Sequence, residues 1–480
     1  MNYSVILRTL GNMVLFEALF LTVPLVTAAI YWESAFWMYL ITIAICIAVG
    51  ALCLLIKSKD KNVYSKEAFV IVALGWIVMS LFGALPFVMT QEIPSYVDAL
   101  FETVSGFTTT GASILNGSQI ESMSKANLMW RSFTHWLGGM GVLVFIMAFL
   151  PLSGAKNMNI LKAESPGPQV SKIVPRVRQT ARILYIIYTT LTVVELVFLL
   201  VGGMPLFDAI TTSFATAGTG GFAVKSDSLT SYSPYLKWVV TIFMLLFSIN
   251  FNSYFLLTKR KWKEALNAEV RAFIIIVFVA IGIITANLCF SGGYTFAQAV
   301  GQAPFTVASI ISTTGFVVND FNLWPTLSKT VLVWLMFIGA CAGSTGGGIK
   351  VSRWLMYIRS TTNEIGHIIH PKQVKKITLD KKVVEHDVVR SLNAFFVAFF
   401  VIFGLSVLAV SIEGYDFTTN FSAVAATINN VGPGLNLVGP AGNFGFFSAP
   451  TKLVLIFDML AGRLEVFPML VLFSPKTWKK

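Results

Sequence analysis

A short segment ending in glycine returns four times along this chain, each time between two apolar stretches, and that recurrence restricts the possible folds more than any other feature. The first copy runs Val97-Asp-Ala-Leu-Phe-Glu-Thr-Val-Ser-Gly-Phe-Thr-Thr-Thr-Gly111. The second opens with Phe207-Asp-Ala-Ile210 and closes with Thr216-Ala-Gly-Thr-Gly-Gly-Phe222. Asp98 precedes Gly111 by 13 residues and Asp208 precedes Gly221 by the same 13, which aligns the two copies. The neighbouring Gly220 leaves that register open by one residue. The third copy is Phe305-Thr-Val-Ala-Ser-Ile-Ile-Ser-Thr-Thr-Gly-Phe316, and the fourth is Phe421-Ser-Ala-Val-Ala-Ala-Thr-Ile-Asn-Asn-Val-Gly-Pro433.

The apolar stretches around the four glycines pair as Phe69–Met89 with Leu128–Leu150, Ile183–Val201 with Trp238–Leu257, Phe273–Phe290 with Val331–Ile338 and beyond, and Ala394–Val410 with Leu453–Phe473. Two more, Met13–Tyr31 and Phe36–Ile56, lead the chain. Each is near the roughly 20 residues a helix needs to cross a bilayer, so ten crossings are expected. The predicted fold is an all-α polytopic membrane protein. Two leading helices (1–66) precede four span–pore-loop–span repeats (67–160, 181–258, 272–360 and 391–475) around a central pseudo-fourfold pore. The first stretch is too long for the apolar part of a signal peptide and is followed at once by another, so it is read as part of the fold.

Composition agrees: 55% of the 480 residues are hydrophobic and only 12% are charged, about half the charge of a soluble domain. The net charge of +12 could suggest nucleic acid, but its distribution argues for topology. With a cytoplasmic N-terminus, 28 of the 35 Lys and Arg fall on the cytoplasmic side, in groups such as Lys57, Lys59 and Lys61, then Arg176, Arg178 and Arg182, then Lys259 to Lys263, then Lys372 to Lys382. Six (Lys125, Arg131, Lys225, Lys237, Lys329 and Lys452) fall outside, and Arg463 lies within a span. Both termini are then cytoplasmic, and all four glycine loops face outward.

A half-helix of about ten residues cannot cross the bilayer and must enter and return. Irregular backbone at that depth is tolerated only when packed in protein or lining a water-filled cavity. Glycine permits the turn and lets backbones approach an axis, where rings of carbonyls can replace the water shell of a cation. The carbonyl layers would come from Thr109, Thr110 and Gly111, from Thr219, Gly220 and Gly221, from Thr313, Thr314 and Gly315, and from Asn430, Val431 and Gly432. The negative C-terminal ends of the half-helices would favour the ion. Close packing of small residues between helices is the alternative for any one such patch; four on one side of the membrane favour a pore. The four cysteines sit in apolar stretches without metal-ligand spacing, and the chain shows no nucleophile and base pairing, so no enzyme is expected.

Two constrictions are expected below these loops. Arg463 lies midway along the last span, where a charge costs at least about 2.5 kcal/mol on insertion scales and should face a pore or a partner. A buried ion pair with Asp458 or Glu465 is the alternative. The stretch from Gly339 to Gly348 holds five glycines in ten residues, including Gly343, Ser344, Thr345, Gly346, Gly347 and Gly348, and should break its helix. A phosphate-cradling loop would need a Gly-Lys-Ser/Thr that is missing here. His135 is read as a packed polar residue, and the intramembrane Glu17 and Glu195 as either helix-packing groups or parts of a proton path.

Taken together, Phe107-Thr-Thr-Thr-Gly-Ala-Ser113, Trp136-Leu-Gly-Gly-Met-Gly141, Ser312-Thr-Thr-Gly-Phe316, Ala340-Cys-Ala-Gly-Ser-Thr-Gly-Gly-Gly-Ile-Lys350 and Ala461-Gly-Arg-Leu-Glu-Val-Phe467 resemble the Trk/Ktr/HKT superfamily of potassium transporters. The length and the two leading spans are similar to its TrkH/TrkG type of membrane subunit. The resemblance covers nearly the whole chain. It implies potassium as the ion, since four filter glycines go with potassium selectivity in that family. It also implies a 339–348 loop that blocks the pore beneath the filter, and Arg463 as a charge barrier. A TrkA-like cytoplasmic NAD/ATP-binding regulatory subunit would contact the basic segments Lys259–Lys263 and Lys350–Lys382. A homodimer in the bacterial inner membrane is implied as well. A secondary carrier coupled to protons or sodium is the competing expectation, although carriers usually repeat in twos.

Overall fold

The computed structural model describes residues 1–56, 65–141, 177–370, 377–380, 382–384 and 386–478. The basic residues Lys57, Lys59, Lys61, Arg176 and Lys372, and the stretch 142–150 of the expected span Leu128–Leu150, lie outside the described residues. The fold is helical; among the described residues the strands are one antiparallel pair, Thr378–Leu379 with Lys382–Val383. Among the described residues six helices are long and apolar enough to cross a membrane: Tyr3–Ile30, Ala35–Leu54, Lys66–Met89, Ala181–Val201, Ala268–Ser291 and Asp387–Glu413. These are the two leading helices and the first helix of each repeat.

The exposure pattern is inverted relative to a water-soluble protein. Phe278, Phe290, Val397, Leu405 and Leu408 stand exposed on the first helices of repeats 3 and 4, while Thr109, Thr110, Thr219, Thr313, Thr314 and Asn430 are fully buried. Apolar surface of this extent, on helices of spanning length, is stable only against lipid. The chain is a multi-pass membrane protein.

Each repeat continues into a half-helix: Tyr96–Phe107, Leu206–Gly218, Phe296–Ile311 and Phe417–Ile428. Three of them start on a side-chain cap, from Ser95, from Thr295 in a reciprocal pair with Gln298, and from Asp416, which satisfies otherwise orphaned N–H groups. Asp98 and Asp208, whose matched spacing aligned the first two repeats, both sit in the first turn. There Asp98 pairs with Lys452 at 2.6 Å and Asp208 accepts the Tyr232 hydroxyl at 2.7 Å.

The second helices differ from expectation. Trp238–Leu257 and Leu453–Phe473 are each broken: Pro234–Phe247 meets Phe251–Thr258 at 90°, and Ala449–Arg463 stops before a new start at Phe467–Phe473. In repeat 3, Thr326–Ile338 ends where expected, at Gly339, and helix resumes at Val351–Ile369. In repeat 1, Lys125–Gly139 ends at a turn with Gly141 at φ 80°. At the last break Glu465 and Val466 have φ of 58° and 68°, and Pro468 opens the next helix, a position where its missing N–H costs nothing.

The candidate ion filter and the constriction beneath it

All four half-helices end in the same way. Thr109, Thr219, Thr313 and Asn430 follow the last helical turns in left-handed conformation, with φ of 56°, 55°, 59° and 54°. Their N–H groups donate to Gly106, Thr216, Ile310 and Thr427. The next N–H groups, of Thr110, Gly220, Thr314 and Val431, donate to Ser105, Ala215, Ser309 and Ala426 at 2.8–2.9 Å. This is the paired 6→1 and 5→2 Schellman closure. The left-handed position usually falls to glycine, and three threonines and an asparagine there store about 1–2 kcal/mol each. Two residues after the left-handed position the glycines Gly111, Gly221, Gly315 and Gly432 have φ of 76°, 76°, 81° and 97°. The register left open at Gly220-Gly221 is resolved: Gly221 matches the other three, and Gly220 occupies the place of Thr110, Thr314 and Val431.

The four glycines meet the neighbouring repeats in one cyclic order. A Cβ on Gly111 would strike the carbonyl oxygen of Gly220, one on Gly221 that of Thr314, one on Gly315 that of Val431, and one on Gly432 that of Thr110, the last at 2.7 Å. Each glycine therefore packs on the carbonyl that precedes the glycine of the next repeat, and the fourth returns to the first. Only a residue without a side chain allows this approach. The asparagine amide of Asn430 also crosses to Thr110 Oγ1 at 2.9 Å.

Below the glycines, the left-handed layer is met by the other predicted residues. Arg463, the last residue of its helix, donates to the carbonyls of Gly138 at 2.6 Å, Gly139 at 2.8 Å and Thr345 at 2.8 Å, and to Thr109 Oγ1 at 3.2 Å. Its nearby acids are engaged elsewhere, Asp458 with Ser406 at 2.7 Å and Glu465 with Arg353. One guanidinium thus joins the break in repeat 4 to repeat 1, the repeat-3 loop and the first glycine loop.

The glycine-rich loop runs directly under the third and fourth glycine segments. Gly347 N–H donates to Thr313 Oγ1 at 2.6 Å and Gly348 N–H to the Asn429 carbonyl at 3.0 Å, while a Cβ on Gly346 would crowd the Ser312 carbonyl at 2.8 Å. Its other side fills the break in repeat 2. Cys341 N–H donates to Ser248 O at 3.0 Å, Thr345 Oγ1 to Phe247 O at 3.1 Å, and Phe251 N–H to Gly343 O at 3.0 Å. These bonds satisfy backbone groups that the 90° bend leaves open. Ser344 closes the loop on itself through the Cys341 carbonyl at 2.6 Å.

Several residues of the site escaped the sequence reading or were misplaced by it. Lys350, read as the start of a partner-contacting basic segment, is 4% exposed, and its ammonium lies on the Gly346 carbonyl. Its role is to anchor the loop from below. Glu269 receives the N–H groups of Ala342 at 2.6 Å and Ser352 at 3.1 Å, bracketing the same loop. Arg131, read as an outside charge, is 2% exposed and ion-paired with Glu102 at 2.8 Å. His135 is a packed polar group, as read: Nδ1 lies 2.8 Å from Gly106 O and Nε2 accepts the Phe222 N–H at 3.3 Å, which makes it the neutral Nδ1–H tautomer. Glu17 and Glu195 are buried on the first helices they were assigned to. An acid nine residues before Gly111, inside an apolar half-helix, was the available signal for Glu102.

Comparison with known proteins places this arrangement in context. A family model described as TrkH, cation transport protein, matches residues 38–480. The Trk system potassium uptake protein TrkH of Escherichia coli K12 is 37% identical over 490 residues, covering 100% of both chains. The Trk system potassium uptake protein TrkG of the same strain is 33% identical, covering 100% of this chain and 99% of its own. The crystal structure of the potassium transporter TrkH from Vibrio parahaemolyticus superposes with a TM-score of 0.90 at 33% identity, over 100% of both chains.

Proposed function

The chain belongs to the TrkH family of cation transport proteins, a family of transporters and not of enzymes, and from that premise we propose that it takes up potassium through a gated, channel-like pore. The observation that carries the reading is the closed ring in which each of Gly111, Gly221, Gly315 and Gly432 packs on the carbonyl before the glycine of the next repeat. Four backbones brought together so closely stack carbonyl layers from Thr109–Gly111, Thr219–Gly221, Thr313–Gly315 and Asn430–Gly432 around one axis. Carbonyl oxygens in such layers replace the hydration shell of a weakly hydrated monovalent cation. In this reading the six spanning helices together with the second helix of each repeat make ten crossings, arranged pseudo-fourfold.

The gate in this proposal is the 339–350 loop with Arg463. Both touch the left-handed layer, so an ion leaving the filter meets a plug of backbone and a positive charge. The loop hangs on hydrogen bonds to the broken ends of repeats 2 and 4, and a shift of those helix ends would withdraw it. A TrkA-like, NAD- or ATP-binding regulatory subunit on the cytoplasmic side of the bacterial inner membrane would drive that shift, with both termini on the same side and two copies of the chain per assembly. The exposed Lys259–Lys263 segment supplies positive charge for docking it; Lys350 does not.

Growth of a bacterium lacking its own potassium uptake tests the reading. The wild-type chain with a matched regulatory subunit should restore growth at low potassium, and Gly111→Asp should abolish it or admit sodium. No rescue by wild type, or unchanged selectivity in Gly111→Asp, would overturn the pore.

A further inference from the structure

The ring is symmetric in its backbone, but one part of its support is not. At nine residues before the filter glycine the four repeats carry Glu102, Thr212, Thr306 and Ala423. Only repeat 1 places a charge there. Glu102 is 1% exposed, and its carboxylate receives Arg131 Nε at 2.8 Å, Ser113 Oγ at 2.9 and 3.1 Å, and the Ile114 N–H at 3.1 Å. Ser113 and Ile114 are the second and third residues after Gly111, where the chain leaves the first filter segment. Arg131 reaches across to repeat 2: Nη1 donates to the Ala223 carbonyl at 3.3 Å, and the guanidinium lies 4.2 Å from the centre of the Phe222 ring. Phe222 and Ala223 are the first and second residues after Gly221. One helical turn further along, His135 holds the Phe222 N–H and the Gly106 carbonyl. The exits of two adjacent filter segments are thus fastened to one buried ion pair.

We infer that Arg131 and Glu102 are positioning residues that fix the spacing between the first and second filter segments, and so set discrimination between potassium and sodium at that edge of the ring. The inference rests on the filter reading above. A planar guanidinium suits the task because it can bond a carboxylate, bond a carbonyl and stack on a ring at once, which an ammonium cannot. Breaking a buried pair leaves an uncompensated charge, whereas removing both partners leaves none. The charges also act on the ion in opposite senses. Loss of Glu102 leaves net positive charge beside the filter and weakens apparent potassium affinity; loss of Arg131 does the reverse.

The test is rubidium-86 uptake into proteoliposomes holding the full-length protein and its regulatory subunit, with sodium as competitor. The variants are Glu102→Gln, Arg131→Lys, the double variant Glu102→Gln with Arg131→Gln, and the uncharged substitution Phe222→Leu. Monodispersity in detergent checks folding. The expected result is maximal uptake near wild type with sodium inhibition strengthened about tenfold, the scale of one lost charged hydrogen bond, in Arg131→Lys and the double variant, and severalfold, the scale of a lost cation–π contact, in Phe222→Leu. Apparent affinity for rubidium should fall in Glu102→Gln and recover in the double variant, an outcome a merely structural role does not produce. Should the single-charge variants fail to fold, Phe222→Leu and the double variant decide. Wild-type sodium inhibition in folded Phe222→Leu and double-variant protein overturns the inference while leaving the pore intact. Absence of selective uptake by wild type instead overturns the pore reading.

Discussion

Replacing Arg463 separates the two ways in which it is proposed to hold the pore shut. The guanidinium bonds three carbonyls and Thr109 Oγ1 at 2.6–3.2 Å, and a hydrogen bond from a charged donor contributes about 1.5–3 kcal/mol. Losing the bond to Thr345 O alone should raise the open population of the loop about tenfold to a hundredfold. The charge adds a second barrier. At an effective dielectric of about 20, like charges several ångströms apart repel by about 2–4 kcal/mol. The two contributions are distinguishable by substitution. Arg463→Gln removes the charge and most of the fan of bonds, whereas Arg463→Lys keeps the charge and loses the bonds that need a planar fork. Rubidium-86 uptake into proteoliposomes should rise by tenfold or more in Arg463→Gln, up to the ceiling set by the filter, and by less in Arg463→Lys. Uptake at or below wild type in folded Arg463→Gln would refute both the tether and the barrier. Equal increases in the two variants would eliminate the charge and keep only the tether.

Two other outcomes follow from particular contacts. Alanine at Gly111 would collide with the Gly220 carbonyl at a φ of 76°, whereas the Cβ at Gly432 finds its nearest atom, the Thr110 oxygen, at 2.7 Å; rubidium-over-sodium selectivity should therefore fall further in Gly111→Ala than in Gly432→Ala. Asp416 caps half-helix 4 through Thr419 N–H at 3.0 Å and Thr419 Oγ1 at 2.6 Å, and the Thr419 hydroxyl is the main cause holding its carboxyl below the usual range. Asp416→Ala should cost about 1 kcal/mol in thermal unfolding in detergent. Because the folded-state value is the lower one, this contribution is present above the ordinary carboxylate value of about 3.9 and is lost as pH falls through the depressed one. The stability difference between wild type and Asp416→Ala should persist at neutral pH and close only in strong acid.

Local patterns carried most of what could be read before the structure. The four glycines, the half-helices and the break at Gly339 are written in residues adjacent in sequence, and each appears where expected. The breaks at Ser248–Asn250 and Leu464–Val466 were not read from the sequence, because neither holds a glycine run like that of 339–348 and each lies inside a stretch long and apolar enough to be taken as one span. The open backbone groups of the first break are satisfied from far along the chain, Phe247 and Ser248 by Thr345 and Cys341, whereas the last turn before Glu465 is closed locally by its own Schellman bonds. The Arg131–Glu102 pair was hidden for a similar reason: its members are 29 residues apart, so no helical spacing could reveal it. Lys350 sits at the end of a basic-looking motif, yet the carbonyl it caps belongs to the loop four residues earlier.

The contrast between a symmetric ring and an asymmetric surround also bears on how the proposed pore would be selective and gated at once. Selectivity requires four near-identical backbone segments, and the left-handed residues and positive-φ glycines repeat within a few degrees except at Gly432, which lies at 97°. Gating requires two discrete arrangements, and a fourfold ring offers no obvious place to build one. The second helices of repeats 2, 3 and 4 break beneath the ring and that of repeat 1 ends in a turn at Gly139, and these ends are filled differently. Repeat 3 contributes the glycine loop, repeat 2 the open carbonyls that receive it, repeat 4 the arginine that ties it, and repeat 1 the helix end to which that arginine is bound. Because each filler comes from a different repeat, displacement of any one helix end would, in the proposed gate, disturb the plug without spreading the ring. The side chains of the left-handed layer are where the two proposed systems touch: Thr109 and Thr313 hold the arginine and the loop with their hydroxyls, whereas the Thr219 hydroxyl turns back to the Gly218 carbonyl.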